Sequence, residues 1–174
     1  MIASGVVVVK GAIPADRAKL YASSAYDFLE SFGLGFDRND PSTWESAKLP
    51  FSHRGGLYNG YSCGHEQYAW DIRQEPGVID AFARVWNTNE LLVSFDGLNI
   101  SVPLDLDKEK DKELSLPWPH VDQSPTRQFL HCVQGIANLA PNGPLDGGLM
   151  VLRGSKELVR PPSPSLLMNR SRLC

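Results

Sequence analysis

The sequence predicts a mixed α+β chain, mainly β, and three observations predict it. A run of β-branched residues stands near the start. Apolar residues recur at helical spacing twice in the first half. Four short apolar stretches bounded by turn residues then follow in the second half. Hydrophobic residues make up 42% and charged residues 21% of the 174 residues, so the chain has the composition and length of one globular domain with a sizeable core.

Gly5-Val-Val-Val-Val9 reads as a buried strand, because four β-branched residues in a row suit a pleated surface covered on both sides. In Ala12-Ile-Pro-Ala-Asp16, Pro14 suits the first turn of a helix and Asp16 its positive end. Tyr21, Ala25, Phe28 and Phe32 continue at helical spacing, and Gly33 closes the helix, whose aromatic stripe is expected to lie on a sheet. Residues 33–75, rich in Gly, Asn, Pro and aromatics, read as long loops with short elements. A second helix is predicted from Pro76 to Trp86, with Val78, Ile79, Phe82 and Val85 on its inner face. Strands are expected near Leu91–Phe95, Leu98–Val102, Phe129–Leu139 and Gly148–Leu152, with a turn at Pro141-Asn-Gly-Pro144. The mixed charges of Asp105–Glu113 read as a solvated loop. From residue 159 to 174 the prolines block regular structure, and this stretch reads as a divergent, disordered tail behind a domain of residues 1–158.

Several function classes are disfavoured at once. A formal net charge of -3 offers no general basic field, so no nucleic-acid partner is expected. The opening apolar run is too short for a signal peptide or a membrane span, so no membrane is expected. Cys63, Cys132 and Cys174 form neither a Cys-x-x-Cys pair nor an even set, which argues against zinc and against a disulfide framework. A cytoplasmic, reducing location follows by default.

His120-Val-Asp122 is the sharpest chemical feature. Residues two apart in a strand share a face, so an imidazole and a carboxylate could reach one metal ion. With a second histidine, such a pair makes the facial triad of non-haem iron(II) oxygenases. A surface histidine and a turn-forming aspartate would give the same triplet. His131 follows nine residues after Asp122 and reads either as a neighbouring side chain or as a packed histidine. The loop Tyr61-Ser-Cys-Gly-His-Glu-Gln-Tyr-Ala-Trp70 has the polar and aromatic mix of a pocket wall. Tyr58, Tyr61, His65, Gln67 and Trp70 are therefore candidate substrate contacts, with an irregular loop anchored by aromatics as the plainer alternative.

The order of these parts carries a resemblance. Trp118-Pro-His-Val-Asp-Gln-Ser-Pro125, Cys132-Val-Gln-Gly-Ile-Ala-Asn-Leu139 and Asn142–Ser155, behind the opening Gly-Val-Val-Val-Val-Lys-Gly-Ala-Ile-Pro and its helix, together resemble the phytanoyl-CoA dioxygenase family over roughly residues 5–158. That resemblance implies a double-stranded β-helix, a cupin-like jelly roll with N-terminal helices packed outside. It implies iron(II) as cofactor, 2-oxoglutarate as co-substrate, and hydroxylation of a small organic substrate. His120 and Asp122 match the first two iron ligands. Asn99, Ser101 and Gln134 are the implied candidates for the co-substrate pocket. Two departures from the family stand out. Its Gly-Ser-His segment reads Gly154-Ser155-Lys156, and no histidine follows His131 to act as the distal ligand. The Arg that pairs with 2-oxoglutarate in the family has no match either, since Arg160, Arg170 and Arg172 lie in the divergent tail. The expectation is an incomplete roll, truncated after about half its strands and impaired in catalysis. Self-association through unpaired sheet edges would follow. A non-catalytic jelly-roll binding module or a truncated relic is the alternative.

Overall fold

The computed structural model describes residues 5–103, 119–123, 127, 130–143, 146 and 148–155. The tail at 159–174 and the charged loop at 105–113 lie outside them. The chain divides into two compact units, Met1–Val8 with Trp118–Ile136 and Leu149–Cys174, and Val9–Pro117 with Ala137–Gly148.

The second unit is helical. Helix α1 spans Ala15–Glu30, with Pro14 at its N-cap rather than inside its first turn, and Ser31 at its C-cap. Gly33 takes φ +64° just beyond and donates its N–H to the Glu30 carbonyl, a turn that glycine makes without steric cost. Ala25, Phe28 and Leu29 are buried. They join Phe36, Tyr58, Cys63 and Tyr68 in one core, to which Phe28 and Tyr58 contribute an edge-to-face ring pair at 5.9 Å. Three single-turn 3-10 helices, Pro41–Thr43, Ser46–Lys48 and Cys63–His65, carry the chain through the loop region. Helix α2, Gln67–Gln74, lies in the stretch expected to be loops, and it buries Tyr68 and Ala69.

Helix α3, Pro76–Trp86, has the expected bounds. Asn87 follows in the left-handed region at φ 53°, and the Thr88 N–H reaches back to the Ala83 carbonyl at 3.2 Å, which closes the helix with a Schellman-type turn. Its expected inner face is shallower than predicted. None of its residues is fully buried.

The mainly-β expectation is overturned. The described residues are 35% helical and only 4% strand. Their sheet has two strands, β1 (Leu57–Tyr58) and β2 (Leu98–Asn99), paired antiparallel with Leu57 opposite Asn99 and Tyr58 opposite Leu98. This is not a jelly roll or a double-stranded β-helix. Of the expected strands, only Leu98–Val102 forms in part. Residues 5–9, 91–95, 130–139 and 148–152 are not in strands. Val6 to Val9, expected to be buried, are 37–81% exposed. The physical reason lies in where backbone bonds are found: a helix satisfies its own within four residues, whereas a strand needs a second segment in register. Apolar, β-branched composition is a weak preference that does not supply that segment. Among the described residues, the sheet edges from which self-association was expected are only two residues long. No helix among the described residues is long and apolar enough to cross a membrane.

Candidate functional site

His120 and Asp122 come together. The His120 Nε2 atom stands 3.1 Å from Asp122 Oδ1. The segment carrying them is not a strand, so the shared face expected from strand alternation is reached through an irregular bend at Asp122. Gln134, twelve residues on, donates its side-chain N–H to Asp122 Oδ2 at 2.6 Å. One carboxylate oxygen thus faces the imidazole while the other is held by an amide. All three residues belong to the same unit. The His120 and Asp122 side chains are 42% and 51% exposed.

This geometry can be tested against a metal ion. Two donors bound side by side to one ion at about 2.1 Å, near a right angle, lie about 3 Å apart. The 3.1 Å separation fits that edge, and it is equally the distance of a direct imidazole–carboxylate hydrogen bond. Metal-bound carboxylates are commonly fixed by an outer hydrogen bond, and Gln134 provides one here. Among the described residues, no third His, Cys, Asp or Glu joins the pair. The residues present therefore fit two positions of a facial triad and leave the remaining ligand to other groups.

The other candidates lie in the helical unit. Asn99 ends β2, and its Oδ1 accepts a hydrogen bond from Ser101 Oγ at 3.0 Å. Tyr58 is 1% exposed and sits in the core, where burial raises its phenol pKa. Tyr61 takes a left-handed backbone, φ 59°, and sets its ring edge-on to Phe32 at 4.9 Å. Gln67 donates to Asp71 Oδ1 at 2.7 Å, one turn along α2. His65 and Trp70 meet on a shared neighbour, Phe95, at ring distances of 4.5 and 5.1 Å.

Sequence reasoning passes over several residues that organise this region. Arg73 lies 5.1 Å from the Trp70 ring centre and donates to the carbonyls of Gly64 and Asp96, which ties two loops to α2. Its place on the same helical turn as Trp70 is the available signal. Glu75, 3% exposed between α2 and α3, accepts from Arg17 at 2.6 and 2.8 Å and from the Tyr21 hydroxyl at 2.6 Å. Those bonds hold its carboxyl below the ordinary range. No local pattern announces it, because its partners stand 54 and 58 residues away. Arg38 likewise gathers Glu30, Asp27 and the Ser23 carbonyl at the end of α1, and it pulls the Glu30 pKa down to about 2.

No family model matches the chain, and no solved structure matches it. The chain is 47% identical over 154 residues to the Ava biosynthesis cluster protein O of Aspergillus versicolor. The match takes in 88% of this chain but 48% of that protein, so the chain spans about half the length of the curated relative it matches.

Proposed function

We propose that this chain carries the His-x-Asp portion of a non-haem iron(II), 2-oxoglutarate-dependent dioxygenase site that hydroxylates a small organic substrate. The supporting observation is the 3.1 Å approach of His120 Nε2 to Asp122 Oδ1, with Gln134 on the far carboxylate oxygen. Iron and 2-oxoglutarate, when bound, supply the oxidising chemistry, and the protein supplies position and charge. His120 and Asp122 would hold the ion, and Gln134 would keep Asp122 turned toward it. Asn99 and Ser101 stay candidates for the co-substrate, and His65, Tyr61, Gln67 and Trp70 for the substrate. The relative's name ties it to a biosynthesis cluster, which agrees with a small-molecule substrate. A cytosolic location goes with this reading, since the reducing cytosol keeps iron as iron(II) and cysteines as thiols.

A second reading, a non-catalytic binding module, has its own support. His120 and Asp122 are about half exposed, more open than the water-excluded sites in which reactive chemistry is usually kept. An anaerobic iron(II) titration separates the two. The dioxygenase reading expects iron binding, a visible absorption band when 2-oxoglutarate chelates the bound iron, loss of both in His120→Ala, and no change in His53→Ala. Iron binding without the band favours the binding module. Equal affinity in wild type and His120→Ala ends the metal reading.

A further inference from the structure

The helical unit holds a cavity of about 290 Å³ away from its helices, between the Ser46–Lys48 turn, the approach to β1 and the residues after β2. We propose that it binds an uncharged, largely apolar small molecule of one- or two-ring size that carries a single hydroxyl or carbonyl group. This goes beyond the metal reading and stands independently of it.

Three observations carry the proposal. The first is the wall. Leu49, Phe51, Ile100 and Val102 supply its apolar surface, and among the described residues no charged one lines it. A dicarboxylate placed against these described residues would lose hydration with no cation among them to replace it, which favours neutral molecules. The second is the polar contact. Ser46, Ser52 and Tyr58 line the cavity, and Ser52, which is only partly buried, is the hydroxyl best placed to meet a ligand. A serine hydroxyl offers a ligand one O–H and two lone pairs. A few polar groups in a mostly apolar wall are the usual composition of a small-molecule site, and the volume is near the small end of that class.

The third observation is that the wall is fixed in advance. The Ile100 N–H donates to the Gly56 carbonyl at 2.9 Å, which continues the β1–β2 pairing past its last strand residue. Gly56 stands at φ +154°, and a Cβ there would come within 2.8 Å of the Ile100 carbonyl oxygen and Ser101 Oγ. Only glycine permits this approach, which holds Ile100 and Val102 close to the segment bearing Ser52 and Tyr58. Phe51, 72% exposed, is braced edge-on against His53 at 5.1 Å. An apolar ligand in the cavity would take part of this ring out of water.

The test is equilibrium dialysis of the 174-residue chain at neutral pH with three probes of one shape: 2-naphthol, naphthalene and 2-naphthoate. The expected order is 2-naphthol tightest, naphthalene weaker by roughly threefold to tenfold, as one neutral hydrogen bond is worth, and 2-naphthoate weakest. Ser52→Ala should bring 2-naphthol down to the level of naphthalene. Val102→Trp, which fills the cavity, should lose binding at least tenfold with an unchanged far-ultraviolet spectrum. Tightest binding by 2-naphthoate, no binding by any of the three probes, or wild-type affinity for 2-naphthol in Val102→Trp overturns the proposal. If Val102→Trp does not fold, the order of the three probes on the wild-type chain still decides. His120→Ala should leave all three affinities unchanged while it removes iron, so failure here and failure of the metal reading are told apart.

Discussion

The helical stretch 15–86 and the stretch 119–155 use their side chains in opposite ways. The first closes several of its charged groups on one another: Glu75 is satisfied by Arg17 and Tyr21, Arg38 by Glu30 and Asp27, and the rings of Phe28, Phe36, Tyr58 and Tyr68 go into a common core. The second leaves large apolar side chains such as Leu130, Ile136, Met150 and Leu152 at 58–83% exposure. It gathers polar atoms at His120, Asp122 and Gln134. The buried core thus lies in one stretch, and the candidate metal pair in the other. Substitutions in the two should be read by different instruments.

The sharpest way to break that contrast is to cross the readouts. Asp122→Ala should abolish iron(II) binding in calorimetric titration, yet shift the stability measured in urea by no more than about 0.5 kcal/mol, the usual range for an exposed site. A large loss of stability would show that the polar trio holds the fold. Leu29→Ala should do the reverse. Leu29 is 1% exposed in the core, and such a truncation costs about 2–5 kcal/mol in urea unfolding. Its iron affinity under native conditions should stay at the wild-type value.

Smaller effects sharpen the same comparison. Gln134→Leu keeps both ligands but frees Asp122 Oδ2, and outer-shell changes of this kind weaken metal binding by roughly 10–100-fold. An unchanged affinity would mean that Gln134 does not orient Asp122. The smallest effect is in pH dependence. Glu30 has its folded pKa lowered to about 2 from 4.5 by Arg38. A depressed carboxyl pKa gives stability that is present above pH 4.5 and is lost as the pH falls toward 2. Glu30→Gln should flatten the acid side of the stability curve within that window and leave the neutral plateau nearly as flat as before. A wild-type slope in the variant would remove Glu30 from the acid transition.

What can be read from the residues follows the range of the interaction. Helices α1 and α3 are legible, because their apolar spacing and their bounds at Pro14, Pro76 and Asn87 are all local. Helix α2 is not, as its eight residues are few and sit among glycines and aromatics that suggest loop. The strands fail for the converse reason. Val6–Val9 and Leu91–Phe95 have strand composition, but nothing in a sequence window says whether a partner lies alongside. At the candidate site the spacing of two picks out His120 and Asp122, but the strand expected to bring them together does not form, and their approach through a bend at Asp122 has no local sign. The family resemblance points Gln134 toward the co-substrate, whereas its bond to Asp122 spans twelve residues and has no local sign. Phe95 and Arg73 are central to the rings around Trp70, yet each looks like an ordinary residue of its own segment.

The bond between Arg17 and Glu75 has a consequence for how the chain is made. The two residues are 58 positions apart, so on a ribosome adding about 5–20 residues per second, α1 emerges some 3–12 s before the carboxylate that will hold it. Phe28 is made 30 positions before Tyr58, so for about 1.5–6 s of that interval Phe28 and Leu29 have neither Tyr58 nor Tyr68 to cover them. Codon speed between residues 30 and 75 therefore sets how long the apolar face of α1 waits for its partners.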